Sequence, residues 1–459
     1  MGAYVPAAFA WQHVLLVAAC GAAILPFAGR VGCTALCVSV GLWLAMIPGI
    51  TEANQFLPLP DSTIATVEGI ATSDSRQAAS GNRWFTLAIE RAYDGRGSGG
   101  TARATIHVLY DFPAEAAAGE RLRIDGSLTS SGWLRADSIG RLGWISAAAR
   151  VRSRILASVQ RELEILAPIT GGLAEALLIG RTDSLSADMH LLFQDNGLLH
   201  VLALSGMHLG ILIGVPLLVL RRMVGIQLAL VVALLLTAVF IWIVGARSSL
   251  MRAGLFLAIS GFWLMRGSPL RPLVILSQAF ILLSLVFPSL LSDIGFQLSF
   301  SAVAGILIFS PPILACCSAR MPSFLKPVYA PVAAGIGASV GGLPIAAAAW
   351  GVWFPLGILL TVAIVPAVTL LMYLSIILAI GYAAMLPPLL LAPLSTAASA
   401  VVSGITLGLE YSAGRFRVPL HGATGTAIWV TIILACAALS VHAYRFRCRL
   451  CEESCITPM

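Results

Sequence analysis

Long apolar runs separated by short polar segments dominate this chain. A hydrocarbon core of about 30 Å needs roughly 20 apolar residues per helix. Eleven runs meet that length, near residues 8–28, 31–49, 197–220, 224–244, 249–265, 270–288, 294–312, 327–349, 355–381, 385–408 and 423–442. Apolar residues make up 58% of the 459 residues and charged residues only 11%, which is too apolar for one soluble core. The pattern predicts a polytopic α-helical membrane protein.

One long polar segment, residues 51–145, interrupts this pattern after the second predicted span. In it Phe85, Leu87 and Ile89 alternate with more polar neighbours, as expected for a half-buried strand. Five stretches have this character: TIATVEGIATS, RWFTLAIERAYD, ATIHVLYD, RLRIDGSLTS and WLRADSIG. Five short strands predict a small β-barrel, and the OB-fold is the commonest five-stranded candidate. Nine arginines against eleven acids over residues 52–141 give it no excess of positive charge.

Residues 147–166 predict an amphipathic helix, within a segment of interfacial helices at 146–196. Its apolar stripe consists of Val151, Ile155, Val159, Leu163 and Leu166. Such a stripe is typical of a helix that lies on a membrane face. A helix packed beneath the β domain fits the pattern equally well.

Basic residues in the short loops predict the orientation in the membrane, because Arg and Lys collect on the cytoplasmic side. The following fall on one side: Arg30, Arg221, Arg222, Arg266, Arg271, Arg320, Lys326, Arg445, Arg447 and Arg449. With eleven spans the N-terminus is then outside, the C-terminus is cytoplasmic and the β segment is extracytoplasmic. The formal net charge of +7 is therefore weak evidence for a nucleic-acid partner by itself.

Candidate chemistry begins with HVLALSGMHLG at 200–210, which carries His200, Ser205 and His208 in an aliphatic run. On one continuous helix the two histidines share a face two turns apart, and Ser205 contacts His208. A serine hydrolase would need an orienting acid and oxyanion donors, yet no acidic residue occurs between Asn196 and Ser292. Interhelical hydrogen bonding, with Gly206 as a point of close approach, and histidines facing a hydrated cavity both remain open.

Charged groups within apolar spans are costly and usually face the bundle interior or a watery cavity. Arg247 and Arg252 lie at one end of the fifth predicted span. They either extend to the interface or line an anion path. Asp293 opens DIGFQLSF, where its carboxylate caps the helix, and Gln297 and Ser299 follow inside the span. A capping and packing role and a pore role both fit Asp293 and Gln297.

The remaining motifs predict no metal site and no cofactor. Cys448, Cys451 and Cys455 lie in the tail at 444–459, and no fourth zinc ligand follows them, so we expect free thiols. No G-x-x-x-x-G-K-[ST] motif is present, so energy would come from other proteins.

GLLHVLALSGMHLG resembles the G-x-x-H-x-L-A-x-S-G-x-H motif of the ComEC-type competence DNA-uptake channel family. Other pieces agree in the same order: ALLIGR at 176–181, GARSSLMRA at 245–253, DIGFQLSF at 293–300, and Pro344 to Trp350 with Pro366 after it. The resemblance covers nearly the whole chain. It implies an N-terminal transmembrane hairpin at 1–50, an OB-like domain, and a channel domain at 197–443.

The resemblance implies a multi-pass protein of the cell inner membrane that carries single-stranded DNA into the cytoplasm during transformation. The polar membrane residues of the family correspond to His200, Ser205, His208, Arg247, Arg252, Asp293, Gln297 and Ser299. Implied partners are a periplasmic DNA receptor, a cytoplasmic motor or single-strand-handling proteins, membrane lipids and a separate nuclease. The nuclease is expected to be separate because none of the seven histidines forms an H-x-H-x-D-H run like that of a metallo-β-lactamase-like domain.

Two other functions remain as alternatives to a non-enzymatic channel. One is a small-solute or ion transporter of the same architecture. The other is an intramembrane hydrolase that uses Ser205 and His208.

Overall fold

The computed structural model describes residues 64–77, 82–129, 132–267, 271–413, 417–419 and 431. The predicted spans at 8–28, 31–49 and 423–442 and the cysteine tail lie outside these residues. Two parts are described, a β domain and a bundle of apolar helices.

The β domain consists of one mixed sheet. Its strands are β1 (Ile64–Ala71), β2 (Arg76–Gln77), β3 (Arg83–Asp94), β4 (Gly99–Tyr110), β5 (Glu120–Leu128) and β6 (Trp133–Trp144). β1 pairs with both β3 and β5, β5 pairs with β6, β6 runs parallel to β4, and β4 pairs with β3. The five long strands therefore pair in a closed ring. All five stretches with strand alternation lie on these strands, as the sequence predicted.

Alternation along the strands decides which side chains fill the ring. Phe85 and Leu87 of β3, Val108 of β4 and Leu122 and Ile124 of β5 are fully buried. Tyr110 joins them, and its hydroxyl donates to the Ala114 carbonyl at 2.8 Å. The inward positions are thus apolar or hydrogen-bonded, which is what a closed β core requires.

Helices make up the rest of the described chain. A first group follows the β domain: α1 (Ala147–Ile165), α2 (Ala167–Thr170), α3 (Leu173–Leu178), α4 (Ala187–Asp195) and α5 (Leu199–Leu202). A second group forms the bundle: α6 (Gly206–Val244), α7 (Ser248–Met265), α8 (Pro272–Val286), α9 (Ile294–Arg320), α10 (Lys326–Trp350), α11 (Leu356–Ala383) and α12 (Pro388–Ser412). Two short strands, β7 (Val352–Trp353) and β8 (Val418–Pro419), pair with each other.

Six helices among the described residues are long and apolar enough to cross a membrane, and the shorter α8 is also apolar. Many of their large apolar side chains face outward, among them Leu235 (62% exposed) and Leu285 (74% exposed). Such surfaces are typical of helices in contact with lipid. The chain is a multi-pass membrane protein. The predicted spans at 355–381 and 385–408 are helices despite Pro366 and Pro393 inside them.

The 39-residue helix α6 folds back on itself at Gly225. A straight helix of this length would extend about 58 Å. Gly225 has a φ of 81°, which breaks the helix. Ser249, beyond the far end of α6, donates from its Oγ to the carbonyl of Leu204, just before its start, at 2.7 Å. The two halves correspond to the predicted spans at 197–220 and 224–244.

Helices α9 and α10 pack with their backbones in contact. A Cβ built on Gly305 of α9 would lie 2.2 Å from the carbonyl oxygen of Gly337, and one on Gly341 would lie 2.1 Å from that of Ser301. Gly337 and Gly341 form a G-x-x-x-G pattern, which permits close approach of membrane helices. Glycines set the spacing of this pair.

Helix α1 has the exposed apolar stripe that the sequence predicted, and it packs against the membrane helices rather than beneath the β domain. Val151, Ile155 and Val159 remain exposed along one side. Leu156 and Leu163 are buried in the same apolar cluster as residues of α11 and α12. The helix is therefore packed and still has an exposed apolar stripe.

Candidate functional site

Ser205 begins helix α6 and pairs with His208. The Ser205 side chain accepts from the Met207 N–H at 3.3 Å, and its Oγ lies 3.1 Å from Nδ1 of His208. Nδ1 also accepts from the Ser205 N–H at 3.3 Å. The two residues thus form a reciprocal cap. Contact between Ser205 and His208 is confirmed.

The placement of His200 on the same helix as His208 was wrong. His200 lies in the separate turn α5, where its Nδ1 is 3.1 Å from the Gly197 carbonyl oxygen. The chain becomes extended at Ala203 and Ser205 before α6 begins. Because the cap at Ser205 begins a new helix, His200 and His208 do not lie on one face of a continuous helix.

Arg252 projects from α7 towards α6 and α9. Its Nε donates to Oγ of Ser299 at 2.7 Å, and its guanidinium carbon lies 5.9 Å from the centroid of the Phe300 ring. A Cβ on Gly206 would lie 3.2 Å from Nη2 of Arg252 and 3.0 Å from Cβ of Ala253. Gly206 is therefore a point of close approach, as predicted, and the N-terminal end of α6 lies beside this cation.

Arg247 precedes α7 at the same end of the bundle. Its Nη2 donates to the Gly180 carbonyl at 2.9 Å, while its buried Nε has no hydrogen-bond partner within the described residues. A Cβ on Gly180 would lie 2.7 Å from Cδ1 of Leu204. The ALLIGR and LALSGMH motifs, far apart in sequence, thus meet beside Arg247.

Neither Arg247 nor Arg252, both half-buried, forms an ion pair within the described residues, whereas the buried Arg152 and the half-buried Arg181 do. Arg152 forms a bidentate pair with Asp74 at 2.9 and 2.7 Å, and its Nε donates to the Trp242 carbonyl at 2.9 Å. Arg181 pairs with Asp183 at 2.6 Å and also lies 3.8 Å from acidic oxygens of Glu115 and Glu175. The nearby carboxylates are thus paired with Arg152 and Arg181. Arg247 and Arg252 have only neutral hydrogen-bond partners.

The acids beside this site have shifted pKa values. Burial raises the pKa of Asp74, but the hydrogen bond and charge of Arg152 outweigh it, so the net pKa lies below the ordinary value. Burial raises the pKa of Glu175 above its usual value, although Ser184 donates a hydrogen bond to it and Arg181 lies nearby. Asp74 is therefore held in its ionised form by Arg152.

The other membrane candidates serve helix ends. Asp293 caps α9, with Oδ1 accepting from the N–H groups of Gly295 at 2.5 Å and Phe296 at 3.2 Å. The capping role is confirmed. Gln297 donates from Nε2 to the Leu291 carbonyl at 2.8 Å. The structure thus brings Arg252 and Ser299 together, and it leaves Asp293 and Gln297 at the start of α9.

A family model described as "Competence protein" matches residues 177–445, which is more than half of the chain. The chain belongs to the competence protein family. This competence protein is also similar to ComE operon protein 3 of Bacillus subtilis (strain 168), with 33% identity over 154 residues. That alignment covers 32% of this chain and 19% of the relative, so the chain aligns with less than a fifth of the curated relative it matches. No solved structure matches.

The matched region of this competence protein contains all eight predicted site residues. It contains neither Asp74 nor Arg152, which sequence reasoning missed. Their pairing joins residues 78 positions apart. Only Arg152 had a local signal, a cation among the first residues of an amphipathic helix.

Proposed function

We propose that this competence protein is an inner-membrane channel that carries single-stranded DNA into the cytoplasm during natural transformation. Family membership and the six membrane-length helices support a membrane role in DNA uptake. One observation carries the channel: Arg247 and Arg252, half-buried at the β-domain end of the bundle, have neutral partners only.

A cation inside a membrane protein is costly unless it is paired or faces a polar path. Arg152 and Arg181 have carboxylates, so the fold supplies counter-ions where the role is structural. Arg247 and Arg252 keep guanidinium N–H groups for a ligand. Arginine binds phosphate through parallel hydrogen bonds, and a DNA backbone presents one phosphate per nucleotide.

The closed five-strand ring, with its one parallel pairing, supports the OB-like barrel as the DNA-receiving domain. Arg221 and Arg222 lie in α6 just before the bend at Gly225, which the fold-back of α6 places at the end of the bundle opposite Ser205. Arg266 lies at the C-terminal end of α7, and Arg247 lies at its N-terminal end. This distribution supports an extracytoplasmic β domain, with the N-terminus outside and the C-terminus in the cytoplasm.

Within the channel we assign contact with the DNA to Arg247 and Arg252. Ser299 would hold Arg252 in position through the hydrogen bond between them. Ser205 and His208 begin α6, and Asp293 and Gln297 organise the start of α9. His208 Nε2 has no hydrogen-bond partner in the described chain, so the Ser205–His208 pair has no orienting acid there. We therefore propose a translocation role without catalysis, with a DNA receptor, a cytoplasmic motor and a nuclease as separate partners.

Transformation frequency tests the channel. In a deletion strain complemented with Arg247→Gln or Arg252→Gln, we expect uptake of a chromosomal marker to fall roughly tenfold or more, because a hydrogen bond to a charged group is worth about 1.5–3 kcal/mol. Arg252→Lys keeps the charge and is expected to retain part of the activity. The matched control is Arg266→Gln, at the opposite end of α7.

Both Gln variants must be present in the membrane at wild-type levels. Wild-type transformation by both variants would contradict the proposal. A deletion strain that still takes up DNA but loses uptake of labelled small solutes would favour a transporter instead.

A further inference from the structure

Three aromatic rings form a cluster outside the core of the β domain. Trp84, His107 and Trp133 come from β3, β4 and β6, and His107 is the register partner of Trp133. The ring centroids of His107 and Trp133 are 4.8 Å apart and stacked, while that of Trp84 lies 5.7 Å from His107 and 6.1 Å from Trp133. We call these three residues the ring cluster.

Strand alternation directs the ring cluster outward. The neighbours Phe85, Val108 and Leu134 fill the core and are 0–1% exposed. His107 is exposed and the two tryptophans are half-buried. These three side chains are therefore not needed to fill the barrel core, and each of them is at least partly exposed.

Two arginines flank the ring cluster. The guanidinium carbon of Arg76, on β2, lies 5.7 Å from the centroid of Trp84. Arg135 follows Trp133 on β6 and is the register partner of Leu109, which itself pairs with Trp84. Neither arginine has a carboxylate within 4.0 Å among the described residues, and both are exposed. Asp74 and Asp183 lie near enough to Arg76 to favour its charged form. Aromatic side chains between two exposed cations suit a ligand with flat rings and anionic links.

The ring cluster is also connected to the membrane site. The N–H of Gln77, next to Arg76, donates to Oδ1 of Asp183 at 3.0 Å. Asp183 accepts a hydrogen bond from the guanidinium of Arg181. Gly180, which precedes Arg181 in the chain, accepts at its carbonyl from Arg247 at 2.9 Å. A chain of direct contacts thus leads from the edge of the ring cluster to the unpaired cation at the bundle end.

We propose that the ring cluster is a stacking platform for the bases of single-stranded DNA, with Arg76 and Arg135 binding the adjacent phosphates. This inference rests on the proposed channel and names where the β domain holds its substrate. Base stacking on aromatic side chains is independent of sequence, because every base has a π-face. Duplex DNA hides those faces, so the platform selects the single strand.

His107 suits this role as a neutral ring. Although His107 is exposed, the partial desolvation of its ring lowers its pKa below the usual value. At neutral pH it therefore stacks as an uncharged aromatic, and the arginines supply the charge.

Binding by the full-length protein in phosphatidylcholine nanodiscs tests the platform. Fluorescence anisotropy would compare a labelled 20-mer of thymidine with an abasic 20-mer that keeps only the sugar-phosphate backbone. Trp84→Ala and Trp133→Ala are each expected to weaken binding of the thymidine strand at least about fivefold and to leave the abasic strand unchanged. Arg76→Ala is expected to weaken both.

Matched variants separate stacking from folding. Trp84→Phe and Trp133→Phe keep a ring and should restore most of the affinity. Trp144→Ala removes a tryptophan at the other end of β6 and should bind like wild type. Thermal unfolding of each variant reports whether the β domain remains folded.

Three results would overturn the platform. Wild-type affinity in both Trp→Ala variants would exclude it while leaving the channel intact. Quenching of Trp84 and Trp133 fluorescence by brominated lipid would show that the rings contact the bilayer. Failure of the wild-type protein to bind either strand, together with normal transformation by Arg252→Gln, would remove the channel as well.

Discussion

Arg152 joins the β domain to the membrane helices through three hydrogen bonds. Two go to the carboxylate of Asp74, and the third goes to the carbonyl of Trp242 near the end of α6. The side chain of Arg152 is 8% exposed and that of Asp74 is 21% exposed. Removing one partner of such a buried ion pair destabilises the protein strongly, because the other charge is left desolvated and unpaired.

Asp74→Asn is expected to destabilise the protein by about 2–4 kcal/mol, slightly below the loss for a fully buried pair. The physical reason is the unpaired guanidinium of Arg152. Thermal unfolding in detergent measures the effect. Glu90→Gln provides the control, because the Arg121–Glu90 pair is 53% and 45% exposed and such pairs contribute little. Equal stability of the two variants would contradict this account.

The same pair predicts how stability depends on pH. The pKa of Asp74 is lower in the folded protein than its ordinary value of 3.8. The stabilisation is therefore complete above the unfolded pKa and is lost as the pH falls through the folded pKa. Melting temperatures recorded from pH 7 down to pH 3 should drop at the acid end in wild type, and the drop should be smaller in Asp74→Asn. Parallel curves would exclude Asp74 as the titrating group.

At the scale of the elements, the α9–α10 pair depends on glycine for its close contact. Backbone atoms of Ser301 and Gly305 occupy the space that side chains at Gly341 and Gly337 would need. In α12, by contrast, nothing lies within 4 Å of a Cβ placed on Gly404. Glycine thus permits close helix contact between α9 and α10, whereas in α12 it only lowers the stability of the helix.

Gly341→Ala is expected to destabilise the protein by about 1–3 kcal/mol, since its Cβ would force α9 and α10 apart. Gly404→Ala is expected to stabilise α12 by about 0.5–1 kcal/mol, because alanine is the better helix former and meets no neighbour. Thermal unfolding of the two variants in detergent compares them directly. A loss of stability in both would mean that helix packing is not the cause.

Much of the element pattern was predictable from sequence, since long apolar runs and strand alternation are local properties. The start of α6 was not, because the leucines around Ser205 continue the apolar run across the break. The S-x-x-H spacing of Ser205 and His208 was the available signal, as a variant of a capping box. Partners such as Ser299 for Arg252 depend on how α7 meets α9, which no local pattern contains.

At the scale of the whole molecule, the β domain and the unpaired arginines lie at one end of the bundle and the basic loops at the other. The sequence predicted this separation from loop charges alone. It did not predict that α1 and Arg152 would connect the two parts, because that requires the fold of both. The first two predicted spans and the last one lie outside the described residues, so the count of eleven transmembrane spans stays a prediction.

Reporter insertions test the orientation. Alkaline phosphatase, which is active only outside the cytoplasm, is expected to be active when inserted at Gly97, in the turn between β3 and β4. It is expected to be inactive at Met321, between α9 and α10. A fluorescent protein that folds only in the cytoplasm should give the opposite pattern. Phosphatase activity at both sites would contradict the predicted topology.

Arg247 occupies the N-cap of α7, where no side chain caps the helix. Helix N-termini carry partial positive charge and favour acids, so a cation there costs on the order of 0.3–1 kcal/mol. Ser205 and Asp293 show that neighbouring helices of the same bundle have good caps. Arg247 is thus poorly suited to begin a helix, and in the proposed channel an anion bound beside it would relieve the repulsion and stabilise α7.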